Sequence, residues 1–140
     1  MKLTHLLKTL VETESPSHDK SAVDRVGVIV ADEMRKLGGQ VEIIKNVETG
    51  DHVLARFQPA TFNMQPILIL CHMDTVFPLG TIQKTPYREE GGKIFGLGTL
   101  DMKAGIVIAL AAVESAQRSG LKRSVTLFCT SEEEIGSHTS

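Results

Sequence analysis

Apolar positions along the chain repeat with two periods. Leu3, Leu6, Leu7, Leu10 and Val11 fall on one helical face, which predicts a short amphipathic helix at the start. Glu14-Ser15-Pro16-Ser17 breaks it, and Ser17 is placed to cap a second helix from about residue 18 to 37. Val23, Val26, Val30, Met34 and Leu37 make that helix's apolar stripe. Lys36 suits its C-terminal dipole, and Gly38-Gly39 a left-handed exit. Gln40 to Ile44 and His52 to Phe57 read as strands joined by a turn at Asn46 to Asp51. Ile67-Leu68-Ile69-Leu70, opened by Pro66, has the length and composition of a buried strand, and it runs into Cys71-His72-Met73-Asp74.

Thr81 to Gly92 reads as an irregular or hairpin connection, with Pro86 and Gly91-Gly92 as breakers. Ala104 to about Ser119 is a helix that is apolar on nearly all sides, so cover is expected on both its faces. Gly120 ends it, and Ser124 to Thr130 is a second buried strand. Strand, helix and strand with apolar runs throughout predict an α/β fold: a mixed, partly parallel sheet covered by helices. There is no repeat, low-complexity tract or interdomain linker, and 140 residues suffice for one ordinary domain.

Composition narrows the functional classes. A net charge of −2, with no basic run interleaved with aromatics, excludes a nucleic-acid footprint. The longest apolar run, Ala104 to Val113, is about half of the ~20 residues a membrane span needs. The opening residues never form a signal-peptide core, and Cys71 and Cys129 both end apolar strands as expected free, buried thiols. A reducing, cytoplasmic location is therefore expected.

Candidate chemistry lies at the ends of the predicted strands. In His72-Met73-Asp74 the imidazole and the carboxylate share a face, because side chains alternate along extended chain. Asp101 stands just before the third helix, and Glu132-Glu133-Glu134 follows the last strand. Open α/β sheets bind ligands beyond the carboxyl ends of their strands, so all these groups are expected at one edge. Carboxylates gathered there raise one another's pKa unless a cation neutralises them. Taken singly, Asp101 could be a helix cap and the glutamate run a solvated loop. Gly96-Leu97-Gly98 lacks the third glycine of a dinucleotide fingerprint. His5, His18, His52 and His138 read as surface residues, and Met73 and Met102 as core filler.

Three blocks, Cys71 to Gly80, Gly96 to Gly105 and Thr130 to Ser137, together resemble the signature segments of the zinc exopeptidases. That family includes glutamate carboxypeptidase, acetylornithine deacetylase, succinyl-diaminopimelate desuccinylase and aminoacylase. Pro78-Leu79-Gly80, Asp101 to Gly105 and Glu14 to Asp19 are most similar to the glutamate carboxypeptidase branch. The resemblance implies that His72 binds one zinc, Asp101 bridges two and Glu134 binds the other, with Asp74 orienting His72. Glu133 would be the general base, taking a proton from a water held between the zincs and passing it to the leaving amine. Cobalt or manganese would suit the same mixed site. Leu97 stands where the family often has proline, and Glu132 where it usually has aspartate.

The resemblance also implies more polypeptide than 140 residues. Further zinc ligands, a lid domain with dimer contacts and the rest of the catalytic domain are expected beyond Ser140. Within the chain each zinc has one private ligand plus Asp101, against the three protein ligands usual at a catalytic zinc. The expected picture is the N-terminal part of a zinc-exopeptidase catalytic domain whose sheet leaves apolar surface uncovered. The expected reaction is cleavage of an amide in a small peptide or N-acyl amino acid to release an amino acid, glutamate in that branch. An N-acyl amino acid deacylase of the same family is one alternative. Another is a catalytically inactive fragment or association module. The full-length protein is expected to be a homodimer.

Overall fold

The structure, a computed structural model, describes residues 2–59 and 64–140. Helix α1 (Leu3–Glu12) buries Leu6, Leu7, Leu10 and Val11 of the face its periodicity predicts, while Leu3, in its first turn, is exposed. Helix α2 (Lys20–Lys36) starts two residues later than expected. The backbone before it is held elsewhere: Pro16 bridges Thr75, and the Ser17 N–H donates to the Thr75 carbonyl at 3.2 Å. Asp19 therefore caps α2, its carboxylate accepting from the Ala22 N–H at 2.9 Å. Gly38, at φ 78°, gives the left-handed exit, and the Gly39 N–H closes the turn on the Met34 carbonyl.

Strands β1 (Gln40–Ile44), β2 (His52–Phe57) and β3 (Ile67–His72) follow, then a small separate hairpin, β4 (Arg88–Glu90) and β5 (Lys93–Phe95). Helix α3 (Ala104–Arg118) leads into β6 (Val125–Thr130). The main sheet runs β1-β2-β6-β3, antiparallel except for the parallel pair β3 and β6. Cys71 pairs with Cys129 and His72 with Thr130, so both parallel strands end at one rim.

The three helices share one face of the sheet. Val53, Ala55, Phe57, Leu127 and Cys129 join side chains of α1, α2 and α3 in one core. Each fully buried Leu, Val or Phe contributes roughly 1.5–3 kcal/mol of transfer free energy. The alternate residues form the opposite face, where Leu68 and Leu70 are 64% and 61% exposed and Phe128 is half-buried. Helical cover is thus one-sided among the described residues. The same holds for α3: Ile106, Leu110 and Val113 are buried while Ile108 is 66% exposed, so its expected second layer of cover is not found. Cys71 and Cys129 are free and buried, and no described helix is long and apolar enough to cross a membrane.

One buried carboxylate staples the β1–β2 turn to α2. Asp51 accepts from Lys20 Nζ and Lys45 Nζ, both at 2.6 Å, and from the Asn46 N–H at 3.1 Å. Burial raises its pKa, but the two lysines outweigh it and hold the group down at about 2. A depressed carboxylate pKa stabilises the fold above the unfolded value near 4, and that stability is lost as pH falls from about 4 to about 2. Asp51→Asn is expected to remove roughly 1–2 kcal/mol at neutral pH and to flatten the acid limb of the stability curve. Urea midpoints measured from pH 2 to 7 check this, and an unchanged acid slope overturns it.

Candidate metal centre

The rim is built from three segments far apart in the sequence. β3 delivers His72, 5% exposed, and the next two residues turn inward, with Met73 at 0% and Asp74 at 1%. A tight irregular turn, Thr99–Lys103, delivers Asp101. Gly98, at φ 66°, enters that turn where a Cβ would lie 2.7 Å from Thr75 Cγ2, so only glycine fits against the β3 exit. Beyond β6, a short 3-10 turn (Glu133–Ile135) delivers the two glutamates.

His72 Nδ1 lies 3.1 Å from the Asp74 carbonyl oxygen and 3.3 Å from its Oδ1. Its Nε2 lies 3.0 Å from Asp101 Oδ1 and 4.0 Å from Glu133 Oε2. Asp74 holds more than the imidazole. Its Oδ2 accepts from Ser17 Oγ at 2.6 Å and the Glu134 N–H at 3.2 Å, and its Oδ1 from the Glu133 N–H at 3.1 Å. One buried carboxylate thus ties the β3 end, the segment before α2 and the glutamate turn together.

Electrostatics marks the cluster as a place for a cation. Burial pushes the Asp74 carboxyl up, but His72, Ser17 and the two amides together hold it below the ordinary carboxylate range. Burial works against a charged His72, yet Asp74 and Asp101 raise its pKa to about 9. Glu134 is pushed up by burial and by the charges of Asp101, Asp74 and Glu133, against the pull of His72. Negative charge exceeds what the imidazole balances, and a divalent ion relieves that.

The donor set fits such an ion. Ligand atoms of His72, Asp101 and Glu134 all lie within 4.8 Å of one another. An imidazole with two carboxylates suits zinc, and with Asp74 at Nδ1 it is Nε2 that faces the cluster, where an ion would take the place of its proton. Glu133 stands beside this group with its side chain 56% exposed. All five residues singled out in the sequence are therefore neighbours.

Other residues around the rim were not foreseen. Ser17 serves Asp74 rather than a helix end. His52 is not a surface residue: it is 2% exposed, with Nδ1 accepting from the Ser131 N–H at 3.2 Å. That leaves its Nε2 facing Thr139 Oγ1 at 3.0 Å, and Thr139 in turn donates to Glu132 Oε1 at 2.5 Å. Glu132, 1% exposed, also accepts from Thr49 Oγ1 at 3.3 Å, so the first glutamate of the run anchors the turn from inside. Lys103 is buried too, its Nζ donating to the Thr13 carbonyl at 2.8 Å, with burial lowering its pKa to about 8 against the pull of Glu14. His5, His18 and His138 are exposed, Met73 is core, and Met102 is half-buried with its Sδ 3.1 Å from the His72 N–H.

Known proteins share this architecture. Carboxypeptidase G2 of Pseudomonas sp. (strain RS-16) is 28% identical over 135 residues, covering 94% of this chain and 32% of that protein. Human carnosine dipeptidase 1 superposes with a TM-score of 0.83 at 20% identity, over 98% of this chain and 33% of that one. The M20 family metallo-carboxypeptidase Sso-CP2 of Sulfolobus solfataricus gives 0.82 at 21% identity, over 98% and 32%. The chain spans about a third of the length of these relatives. The model of peptidase family M20/M25/M40 matches residues 68–140, more than half of the chain and all of the rim residues from His72 to Glu134, and the chain belongs to that family.

Proposed function

We propose that this chain is the N-terminal, metal-binding part of a hydrolase catalytic domain that cleaves an amide to release an amino acid. The observation that carries the reading is the convergence of His72, Asp101 and Glu134 within 4.8 Å, with Glu133 alongside. His72 and Glu134 would each hold one divalent ion, zinc by donor type, and Asp101 would bridge the pair. Bound ions supply Lewis acidity toward the attacking water and the amide carbonyl. Glu133 takes the proton from that water as its oxygen bonds to the carbonyl carbon. It delivers the proton to the amine nitrogen as the C–N bond breaks. Asp74 fixes the His72 ring and, through two backbone amides, the turn that carries both glutamates.

Membership of the family and likeness to Carboxypeptidase G2 support a carboxypeptidase, and the resemblance of Glu14 to Asp19 and Pro78 to Gly80 to the glutamate carboxypeptidase branch makes glutamate the candidate released residue. Deacylation of an N-acyl amino acid is the same chemistry with a different acyl group. On this reading the remaining zinc ligands, a lid domain and dimer contacts belong to polypeptide outside these 140 residues, in keeping with the one-third coverage of the relatives. The free, buried thiols of Cys71 and Cys129 support a reducing, cytoplasmic location.

The uncovered sheet face, with Leu68 and Leu70 exposed, favours a second reading in which the chain by itself is a catalytically silent association module. Equilibrium dialysis against zinc followed by metal analysis separates the two. The metal-site reading expects tightly held ion that Asp101→Asn removes. Three donors within 4.8 Å suffice for one ion even with the remaining ligands outside these residues, so a wild-type chain that holds none overturns it in favour of the silent module.

A further inference from the structure

Where the chain leaves β3 it buries Asp74 and Thr75 and then turns two apolar side chains outward, Val76 at 63% and Phe77 at 37% exposure. Leu100, next to Asp101, is 92% exposed. These three meet on one cleft of about 350 Å³, whose wall is completed by Asp101, Glu134 and the Gly96–Thr99 segment. Val76 also forms the divide to a second cleft of about 330 Å³, lined by Pro16, Pro78 and Ile135. Exposed apolar side chains gathered beside a charged cluster mark a ligand groove more readily than chance exposure does.

The cleft's chemistry selects its occupant. Among the described residues no lysine, arginine or histidine lines it, and the only charges there are the carboxylates of Asp101 and Glu134, which bound ions would neutralise. An acidic side chain would find no cation there, whereas an apolar one would take Val76, Phe77 and Leu100 out of water. Position relative to the base fixes which half of the substrate lies here. Glu133 does not line this cleft; it lines a separate one, with His72, Met102 and Phe128. The amine that receives its proton departs next to Glu133, which assigns the cleft that Glu133 does not line to the acyl half.

We propose that Leu100, Val76 and Phe77 form a specificity-determining subsite for an apolar side chain on the residue whose carbonyl is attacked. This rests on the metal-site reading above and leaves open a polar or acidic released residue.

Amino-acid hydroxamates test it, because they chelate metal while presenting a chosen acyl-side chain. Titration calorimetry on the zinc-loaded chain is expected to show leucine hydroxamate binding at least about tenfold tighter than glutamate hydroxamate. Leu100→Ser and Val76→Ser are expected to shrink that ratio several-fold without changing zinc or acetohydroxamate affinity, and Leu100→Lys to invert it. Equal affinity for the two hydroxamates, with zinc bound, overturns the subsite and leaves the metal site standing. Should the chain hold no zinc, the metal reading fails and the cleft is probed alone, by methyl NMR with N-acetyl-leucinamide and N-acetyl-glutamate. Shifts at Val76 and Leu100 with the leucine compound only sustain an apolar site, and their absence removes it.

Discussion

Glu133→Gln is expected to lower kcat by about 10²–10⁴-fold in a catalytically active preparation, while metal content stays at the wild-type level. Glutamine keeps the shape of the side chain and the Glu133 N–H bond to Asp74, but cannot accept and return a proton. Glu133 also stands outside the three groups whose ligand atoms lie within 4.8 Å of one another, so its neutralisation leaves the donor set whole. Its side chain, 56% exposed and 4.0 Å from His72 Nε2, reaches over the cluster rather than into the protein. KM should change far less than kcat, since the lost interaction is a proton transfer and not a ground-state contact. Rate measurements paired with metal analysis decide it. A retained rate removes Glu133 as the base, and joint loss of rate and metal makes it a ligand instead.

Elements whose pattern is local were legible before any coordinates. β1 and β2 carry short alternating runs between turn residues, and each has the bounds expected of it. α1 follows from its helical spacing and the breaker after it, and α3 from a long apolar run that Gly120 ends. The rim was legible because β3 and β6 are parallel, so whatever follows each strand emerges at the same edge. What stayed hidden depends on partners dozens of residues away. Ser17 ahead of a helix has the form of a cap, and only the pairing of residues 16–17 with Thr75 turns its hydroxyl toward Asp74. His52 opens a strand beside a polar turn, and nothing nearby in the sequence announces Ser131 and Thr139 as its partners. For α3, apolar composition overstated the cover, because Ile108 shows what a residue tolerates and not what lies against it.

Asp74→Asn should weaken zinc binding by about 10–100-fold and cost roughly 1–3 kcal/mol of stability, through the loss of one specific hydrogen bond. The Asp74 carboxylate accepts at both oxygens: from His72 and the Glu133 N–H at Oδ1, and from Ser17 and the Glu134 N–H at Oδ2. Asparagine replaces one oxygen by an NH2 group, which must face donors whichever way it turns. Toward Oδ1 it meets an imidazole N–H and an amide. Toward Oδ2 it meets the Ser17 hydroxyl, which can rotate to accept, and the Glu134 amide, which cannot. The amide group therefore settles toward Ser17 and strands the Glu134 N–H, loosening the residue that offers one of the three candidate metal donors. Ser17→Ala removes only the hydroxyl and should cost about 1 kcal/mol, with a several-fold smaller loss of zinc affinity. Zinc isotherms and urea midpoints on both variants read these effects apart. A wild-type zinc affinity in Asp74→Asn ends the orienting role. Equal losses in the two variants shift that role from the amide bonds to Ser17.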